Sequence, residues 1–129
     1  MNKFKNTDEL LDYLTLICVD EYKDLEVVVV DSWSKEYKSI TGVYKLTYND
    51  DEVMFDYIGL EYKKDKKPFT LEELISALNT FKDDKSFIGL FDGDNINESE
   101  YPKSIYDLKL TEIETLGEKD MFLEIKQYD

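Results

Sequence analysis

Two amphipathic segments of this chain each begin with a residue suited to cap a helix. Asn6 precedes the first segment, and Glu9 lies three residues after Asn6. Thr70 precedes the second segment, and Glu73 lies three residues after Thr70. A small polar residue followed three positions later by Glu is the capping box with which many helices start. Leucines then recur at helical spacing in both segments. The sequence therefore predicts one helix over residues 7–18 and a second that begins after Thr70.

Three segments with the composition of strands follow each predicted helix. Within them β-branched and aromatic residues are common and often alternate with polar ones, as in strands that are buried on one face. The segments span residues 25–33, 40–48, 53–62, 87–91, 105–113 and 121–128. On the second strand we expect one face to carry Ile40, Tyr44, Leu46 and Tyr48. The sequence predicts a single α+β domain over residues 1–129, with two helices packed on a mainly antiparallel sheet.

The order helix, strand, strand, strand occurs twice and suggests an internal duplication, αβββ-αβββ. A shift of 64 residues lays Asn6 on Thr70 and Glu9 on Glu73. The alternative is that two capped amphipathic helices look alike because the same physical rules shape every such helix. Both interpretations stay open at the level of sequence.

The basic side chains of the chain are all lysines, and histidine is absent. Without an imidazole, the Ser-His-Asp and Cys-His arrangements and the usual zinc ligands are excluded. Cys18 stands alone, so it forms no intramolecular disulfide and no cysteine zinc site. The sequence therefore predicts a protein that is not an enzyme and has neither a cofactor nor a metal.

Two places in the sequence could carry chemistry that the prediction excludes. Residues 92–95 (Asp-Gly-Asp-Asn) offer oxygen ligands to a hard cation, but Ile96 takes the fifth position of an EF-hand pattern and no glycine follows it. Asp56 lies between Phe55 and Tyr57 and is the acid that a strand would most readily bury. The favoured interpretations are an acidic loop for the first place and a water-facing acid for the second.

Negative charge falls into two lobes around a neutral middle. The chain has 30 acidic and 16 basic residues, a net charge of -14. Residues 1–60 hold 13 acids and 6 lysines, residues 61–85 hold 6 of each, and residues 86–129 hold 11 acids and 4 lysines. The neutral middle includes the lysines Lys63, Lys64, Lys66 and Lys67.

Ten tyrosines give the chain many side chains that combine a large apolar ring with a polar tip. Some lie in charged, turn-like segments, and we expect these to be exposed: Tyr22, Tyr37, Tyr62 and Tyr101. Others lie in predicted strands, and we expect these in the sheet or the core: Tyr44, Tyr48 and Tyr106.

An acidic surface repels nucleic acid and anionic membranes and attracts basic proteins. The sequence therefore predicts an inhibitor or interaction protein that binds a basic, nucleic-acid-handling surface of a partner, as DNA-mimicking anti-CRISPR and anti-restriction proteins of phages and mobile elements do. One alternative is an immunity protein that neutralises a toxin, and another is a small carboxylate-dependent enzyme or ligand-binding domain.

The longest aliphatic run covers only residues 27–30, so we expect no membrane segment and a cytoplasmic location.

We expect the partner-binding residues in three acidic clusters, because loops of this kind often carry function. The first cluster follows the first helix, the second lies at the turn between the second and third strands, and the third lies in the longest loop. Their members are Asp20, Glu21, Tyr22 and Asp24 in the first, Asp50, Asp51 and Glu52 in the second, and Asp92, Asp94, Glu98 and Glu100 in the third.

Overall fold

A computed structural model describes residues 3–18, 20–30, 36–115 and 118–128. They form two helices, α1 (Thr7–Ile17) and α2 (Leu71–Asn79). The strands are β1 (Glu26–Val30), β2 (Tyr37–Asn49), β3 (Met54–Lys63), β4 (Phe87–Asp92), β5 (Ser104–Thr115) and β6 (Glu118–Tyr128). The predicted α+β class is confirmed, with two helices and one six-stranded sheet. The end of the first predicted strand, residues 31–33, lies outside the described residues.

Both helices begin at the predicted caps. The Asn6 side chain accepts a hydrogen bond from the Glu9 amide at 3.1 Å. The Glu9 carboxylate accepts from the amide of Lys5 at 3.4 Å, one residue before the cap. At α2 the box is reciprocal, because Thr70 accepts from the Glu73 amide at 3.2 Å and Glu73 accepts from the Thr70 amide at 3.1 Å. These bonds satisfy amides that a helix start leaves without intrahelical partners.

The sheet is mixed, with the strand order β4-β3-β2-β1-β6-β5. The pairs β1–β2, β2–β3 and β5–β6 are antiparallel, whereas β1–β6 and β3–β4 are parallel. The expectation of a mainly antiparallel sheet missed these two parallel pairs. One of them arises because α2 returns the chain to the same end of the sheet before β4 begins, as in any crossover connection.

The two edges of the sheet meet at one point. The Leu90 amide in β4 donates to the Lys103 carbonyl at 2.8 Å, and the Lys103 amide donates back to the Leu90 carbonyl at 2.9 Å. Lys103 immediately precedes β5, the strand at the opposite edge of the sheet. The sheet is therefore curled until its outer strands are joined by this bridge.

Backbone hydrogen bonds also tie the segments before the helices to the strands. The Phe69 amide donates to the Ile40 carbonyl at 2.7 Å, and the Val27 amide donates to the Phe69 carbonyl at 2.8 Å, so this segment contacts both β1 and β2. Before α1, the Lys3 amide donates to the Ile105 carbonyl of β5 at 2.9 Å. These bonds fix where each helix begins relative to the sheet.

The β2–β3 and β5–β6 hairpins have the same register. Adding 65 to both residue numbers of a pair in the first hairpin gives a pair in the second, on both sides of a bulge. The pairs that flank the bulges are Ile40–Tyr62 and Gly42–Glu61 in the first hairpin, and Ile105–Gln127 and Asp107–Lys126 in the second. The bulge therefore lies at the same place in each hairpin.

The bulge in β2 corrects one sequence prediction. Ile40 pairs with Tyr62 while Tyr44 pairs with Gly59, and positions 59 and 62 lie on opposite faces of β3. The prediction that Ile40 shares a face with Tyr44, Leu46 and Tyr48 is therefore wrong. A bulge inserts one residue and shifts the alternation of side chains beyond it. Ile40 faces the core and the other three face the opposite side.

The core lies between the two helices and one face of the sheet. The helices contribute the buried side chains of Leu10, Leu11, Leu14, Leu71, Leu74 and Leu78. The strands contribute those of Val27, Val29, Ile40, Ile58, Leu60, Tyr62, Ile88, Leu90, Ile105, Leu108, Leu123 and Ile125. Neither helix of the described residues has the length and apolarity needed to cross a membrane.

Tyr62 belongs to this core, and the prediction that it is exposed is wrong. Its side chain is 1% exposed because its strand position pairs with Ile40 on the helix-facing side. The ammonium groups of Lys38 and Lys103 lie 5.2 and 5.7 Å from the centre of its ring. The charged residues around Tyr62 in the sequence suggested that its ring would face water. In the structure two lysines cover the ring instead.

Equivalent substitutions at the two bulges test whether the hairpins have equivalent environments. Ile40 and Ile105 are both fully buried. We expect Ile40→Val and Ile105→Val each to lower the free energy of unfolding by about 1 kcal/mol, and by amounts within about 0.5 kcal/mol of each other. Urea unfolding measures both, and Ile96→Val, at an exposed position, is the control that should change little. A large cost at only one bulge would contradict the equivalence.

Candidate interaction surface

The loop between β4 and β5, residues 93–103 and called the long loop below, packs on an aromatic cluster of the sheet face turned away from the helices. The ring of Tyr101 lies 5.1 Å from that of Tyr48, 5.7 Å from that of Phe55 and 6.3 Å from that of Phe87. Phe55 also lies 5.1 Å from Tyr48. Tilted and edge-to-face aromatic pairs at such distances are favourable. They hold the long loop against β2, β3 and β4.

Contacts at two further places fix the long loop. The Asn49 amide, at the end of β2, donates to the Glu98 carbonyl at 2.9 Å. At the other end of the loop Pro102 is buried, and a Cβ at Gly89 would lie only 2.8 Å from the Pro102 Cβ. Glycine at this position thus permits the close approach of Pro102 to β4. The long loop and the β2–β3 turn form one continuous surface.

The β2–β3 turn is built by Asp50. Its Oδ1 accepts from the Val53 amide at 2.7 Å and the Glu52 amide at 3.0 Å, and its Oδ2 accepts from the Tyr48 hydroxyl at 2.8 Å. The bonds from Val53 and Tyr48 lower the pKa of Asp50. Asp51 follows with a φ of 76°, a conformation that Asp tolerates better than most residues. Asp50 therefore shapes the predicted turn, while the carboxylates beside it are exposed.

The third acidic cluster is divided along the long loop. Asp92 accepts from the Asp94 amide at 2.9 Å, and Asp94 accepts from the Lys64 amide at 2.8 Å. These two acids thus lie beside the lysine-rich segment after β3. Glu98 is held at the β2–β3 turn by its carbonyl, and Glu100 follows two residues later.

The first acidic cluster lies elsewhere, beside the start of α2. The Glu72 amide donates to the Lys23 carbonyl at 3.0 Å. Burial raises the pKa of the Cys18 thiol, and the negative charges of Glu72 and Asp20 raise it further. The cluster members Asp20, Glu21 and Asp24 are exposed and Tyr22 is half-buried. Cys18 itself, the residue that follows α1, packs against the core.

The turn and the long loop together present carboxylates around exposed apolar side chains, a set we call the tip surface. Its carboxylates are Asp51, Glu52, Glu98 and Glu100, and its apolar side chains are Met54, Ile96 and Tyr101. The apolar members are 71%, 66% and 57% exposed. Large apolar groups surrounded by polar ones are the arrangement found in protein–protein interfaces.

A cleft of about 450 Å³, including the solvent at its mouth, opens between the long loop and the sheet. The aromatic residues Tyr57, Phe91 and Tyr101 and the acids Asp92, Glu98 and Glu100 line it, among others. Burial raises the pKa of Tyr57, and the charge of Glu100 raises it further. The cleft therefore has both apolar walls and a negative potential.

The remaining sequence candidates are placed as follows. Asp56 is exposed and accepts a hydrogen bond from the Thr47 hydroxyl at 2.7 Å, so no apolar wall encloses its carboxylate. Among the residues that the structure describes, no three or more Cys, Asp or Glu side chains are grouped to hold a metal ion. Lys64 pairs with the exposed Glu36 at 3.3 Å, and surface pairs of this kind contribute little to stability. Lys63 lies 3.9 Å from Glu61, whose side chain is buried.

The tyrosine predictions are wrong for two residues. Tyr37 and Tyr101 are exposed, and Tyr44 and Tyr48 lie in β2, as predicted. Tyr44 is 48% exposed, because the bulge turns it to the face away from the helices. The two errors are Tyr22, which is half-buried, and Tyr62, described above, since both were expected to be exposed. The side chain of Tyr106 lies outside the described part of the chain.

Comparisons of the chain with protein-family models, with curated proteins and with solved structures each find no match. The residues and geometry of the tip surface and its cleft therefore carry the functional argument. Sequence reasoning missed the aromatic support of this surface. The signal was present in the spacing of Phe55 and Tyr57, which lie two residues apart and thus on one face of β3.

Two tyrosines report separately on the two parts of the tip surface. The hydrogen bond to Asp50 raises the pKa of Tyr48, whereas burial and then Glu100 raise the pKa of Tyr57. We expect Asp50→Asn to lower the pKa of Tyr48 but not that of Tyr57, and Glu100→Gln to lower the pKa of Tyr57 but not that of Tyr48. The pKa of Tyr57 should stay above its ordinary value because the burial persists. NMR titration of ¹³Cζ-labelled tyrosine measures both. If both substitutions move both tyrosines equally, the two environments are not separate.

Proposed function

We propose that this protein is a non-enzymatic inhibitor that binds a basic, nucleic-acid-handling surface of a partner protein through the tip surface. The observation that carries the proposal is the bond between the Asn49 amide and the Glu98 carbonyl. It joins two acidic segments into one exposed surface, and Tyr101 and Met54 supply large apolar contacts within it.

The physical basis is the replacement of phosphates by carboxylates. A surface that binds nucleic acid carries lysines and arginines that pair with phosphate oxygens. Exposed carboxylates offer the same charge to those cations, and the net charge of -14 steers a basic partner towards the chain. Tyr101 and Met54 would then be desolvated at the centre of the contact, where most binding energy is concentrated.

Anti-CRISPR and anti-restriction proteins are the class that this proposal favours. An immunity protein directed at a nuclease toxin would use the same interaction, so the identity of the displaced nucleic acid distinguishes the two. We also propose that the protein acts in the cytoplasm, where the thiol of Cys18 stays reduced.

We further infer that the chain arose by duplication of an αβββ unit. Support comes from the shared register and bulge position of the two hairpins. The tripeptide Lys-Ser-Ile also recurs at residues 38–40 and 103–105, immediately before the bulges. The bridge from Leu90 to Lys103 corresponds to the β1–β2 pair Val29–Lys38. Resemblance between capped helices does not account for matching strand registers.

The binding proposal is tested by displacement of a fluorescent DNA duplex from a panel of basic proteins: a restriction endonuclease, a CRISPR effector and a nuclease toxin domain. Three charge reversals at the tip surface are compared with three at the first cluster, which change the net charge by the same amount. The variants are Glu52→Lys/Glu98→Lys/Glu100→Lys and Asp20→Lys/Glu21→Lys/Asp24→Lys. We expect the concentration of protein that displaces half of the DNA to be about tenfold or more higher for the tip variant than for the first-cluster variant. Circular dichroism verifies that both variants are folded.

Ionic strength provides the second readout of the same experiment. Exposed charge pairs are screened over about 8–10 Å at physiological salt. Displacement by the unmodified chain should therefore weaken steadily as salt is raised. Displacement of no member of the panel, or displacement that is insensitive to salt, would contradict the proposed function. A loss confined to the first-cluster variant would show that the binding surface is misplaced.

A further inference from the structure

The cleft beneath the long loop has a composition that selects one kind of occupant. Tyr57, Phe91 and Tyr101 provide aromatic walls, and Asp92, Glu98 and Glu100 provide three negative charges against the single positive charge of Lys103. The ammonium group of Lys103 lies 5.7 Å from the centre of the Tyr62 ring and lowers the pKa of that tyrosine, which burial raises. This lysine is therefore engaged with Tyr62, and the cleft keeps an excess of negative charge.

Tyr57 forms a deep part of the cleft wall. It is 5% exposed, and its ring packs on Phe55 with centroids 6.4 Å apart. Among the described residues, the polar side-chain atom that is fully buried without a hydrogen-bond partner is Thr7 Oγ1, so the Tyr57 hydroxyl is in contact with solvent. A group that enters the cleft and donates a hydrogen bond could therefore reach this hydroxyl.

We propose that the cleft receives the guanidinium group of an arginine side chain of the partner, an inference that rests on the proposed function. Guanidinium is planar, stacks on aromatic rings and donates several hydrogen bonds in fixed directions. Carboxylates such as Glu100 accept two of these donors side by side. An ammonium group would satisfy the charge of the cleft but would not stack on Tyr101.

The geometry assigns a role to each wall of the cleft. Tyr101 is supported from behind by Tyr48, Phe55 and Phe87, so its position is fixed before any ligand arrives. Glu100 precedes it and already acts electrostatically on the Tyr57 hydroxyl. A guanidinium between them would pair with the carboxylate and contact the aromatic surface without rearrangement of the loop. Preorganisation of this kind reduces the entropic cost of binding.

The test uses a single amino-acid derivative as probe and therefore needs no partner. ¹H–¹⁵N NMR spectra of the whole chain are recorded during titration with N-acetyl-arginine amide, and in parallel with its uncharged isostere N-acetyl-citrulline amide. We expect the arginine probe to shift the amide signals of Tyr57 and Glu100 with a dissociation constant of about 1 mM, the range of a single side-chain contact. The citrulline probe should bind at least about tenfold more weakly, because it lacks the charge.

Two variants and a control locate the contact. Glu100→Gln removes one charge, and Tyr101→Ala removes one wall of the cleft; each should weaken the arginine probe about tenfold or more. Glu21→Gln, in the first cluster, should have no effect. The proposal is overturned if the arginine and citrulline probes bind equally, if the shifts map outside the cleft, or if Glu100→Gln and Tyr101→Ala both leave binding unchanged. Should the probe bind while no DNA is displaced from the panel, the cleft stands and the proposed function fails.

Discussion

The hydrogen-bonded bridge between Leu90 and Lys103 is the constraint on which the rest of the structure depends. It joins the two outer strands of a six-stranded sheet and so determines how far the sheet curls. It also fixes the end of the long loop, because Lys103 is the last residue of that loop. With this end held and the Asn49–Glu98 bond holding the middle, the loop lies over the aromatic face of β2, β3 and β4 instead of extending into solvent.

The same geometry decides which acids build the protein and which are available to a partner. Asp50 is occupied by the amides of the turn and by a tyrosine hydroxyl, and Asp94 by the amide of Lys64. Acids of this kind replace backbone partners that a tight turn lacks. Glu52 and Glu98 are left exposed beside apolar side chains. Because some carboxylates are used in local hydrogen bonds, only part of the large negative charge is available to a partner, and part of that lies at the tip surface.

Local signals in the sequence predicted the helices well, since a cap such as Asn6 or Thr70 acts within one turn of chain. The strand segments were also predicted, although their boundaries differ from those in the structure by a few residues. The two parallel pairs and the edge bridge were not predicted, because they join residues that are remote in sequence. The predicted face of β2 was wrong at Ile40, because the prediction assumed an unbroken alternation and the residue inserted at the bulge shifts that alternation. The acidic clusters were found from charge alone, but the cleft was not, because its walls come from β2, β3, β4 and the long loop.

Hydrogen exchange of backbone amides measures the central claim, that closure of the sheet holds the tip surface in place before any partner binds. The account predicts that the amides of Leu90, Lys103 and Asn49 exchange many times more slowly than that of Ile96, an exposed residue of the long loop. It also predicts that these amides are protected together, since one bridge and one bond hold a single structure. Exchange of Leu90 and Lys103 at the rate of an unstructured peptide would contradict the account.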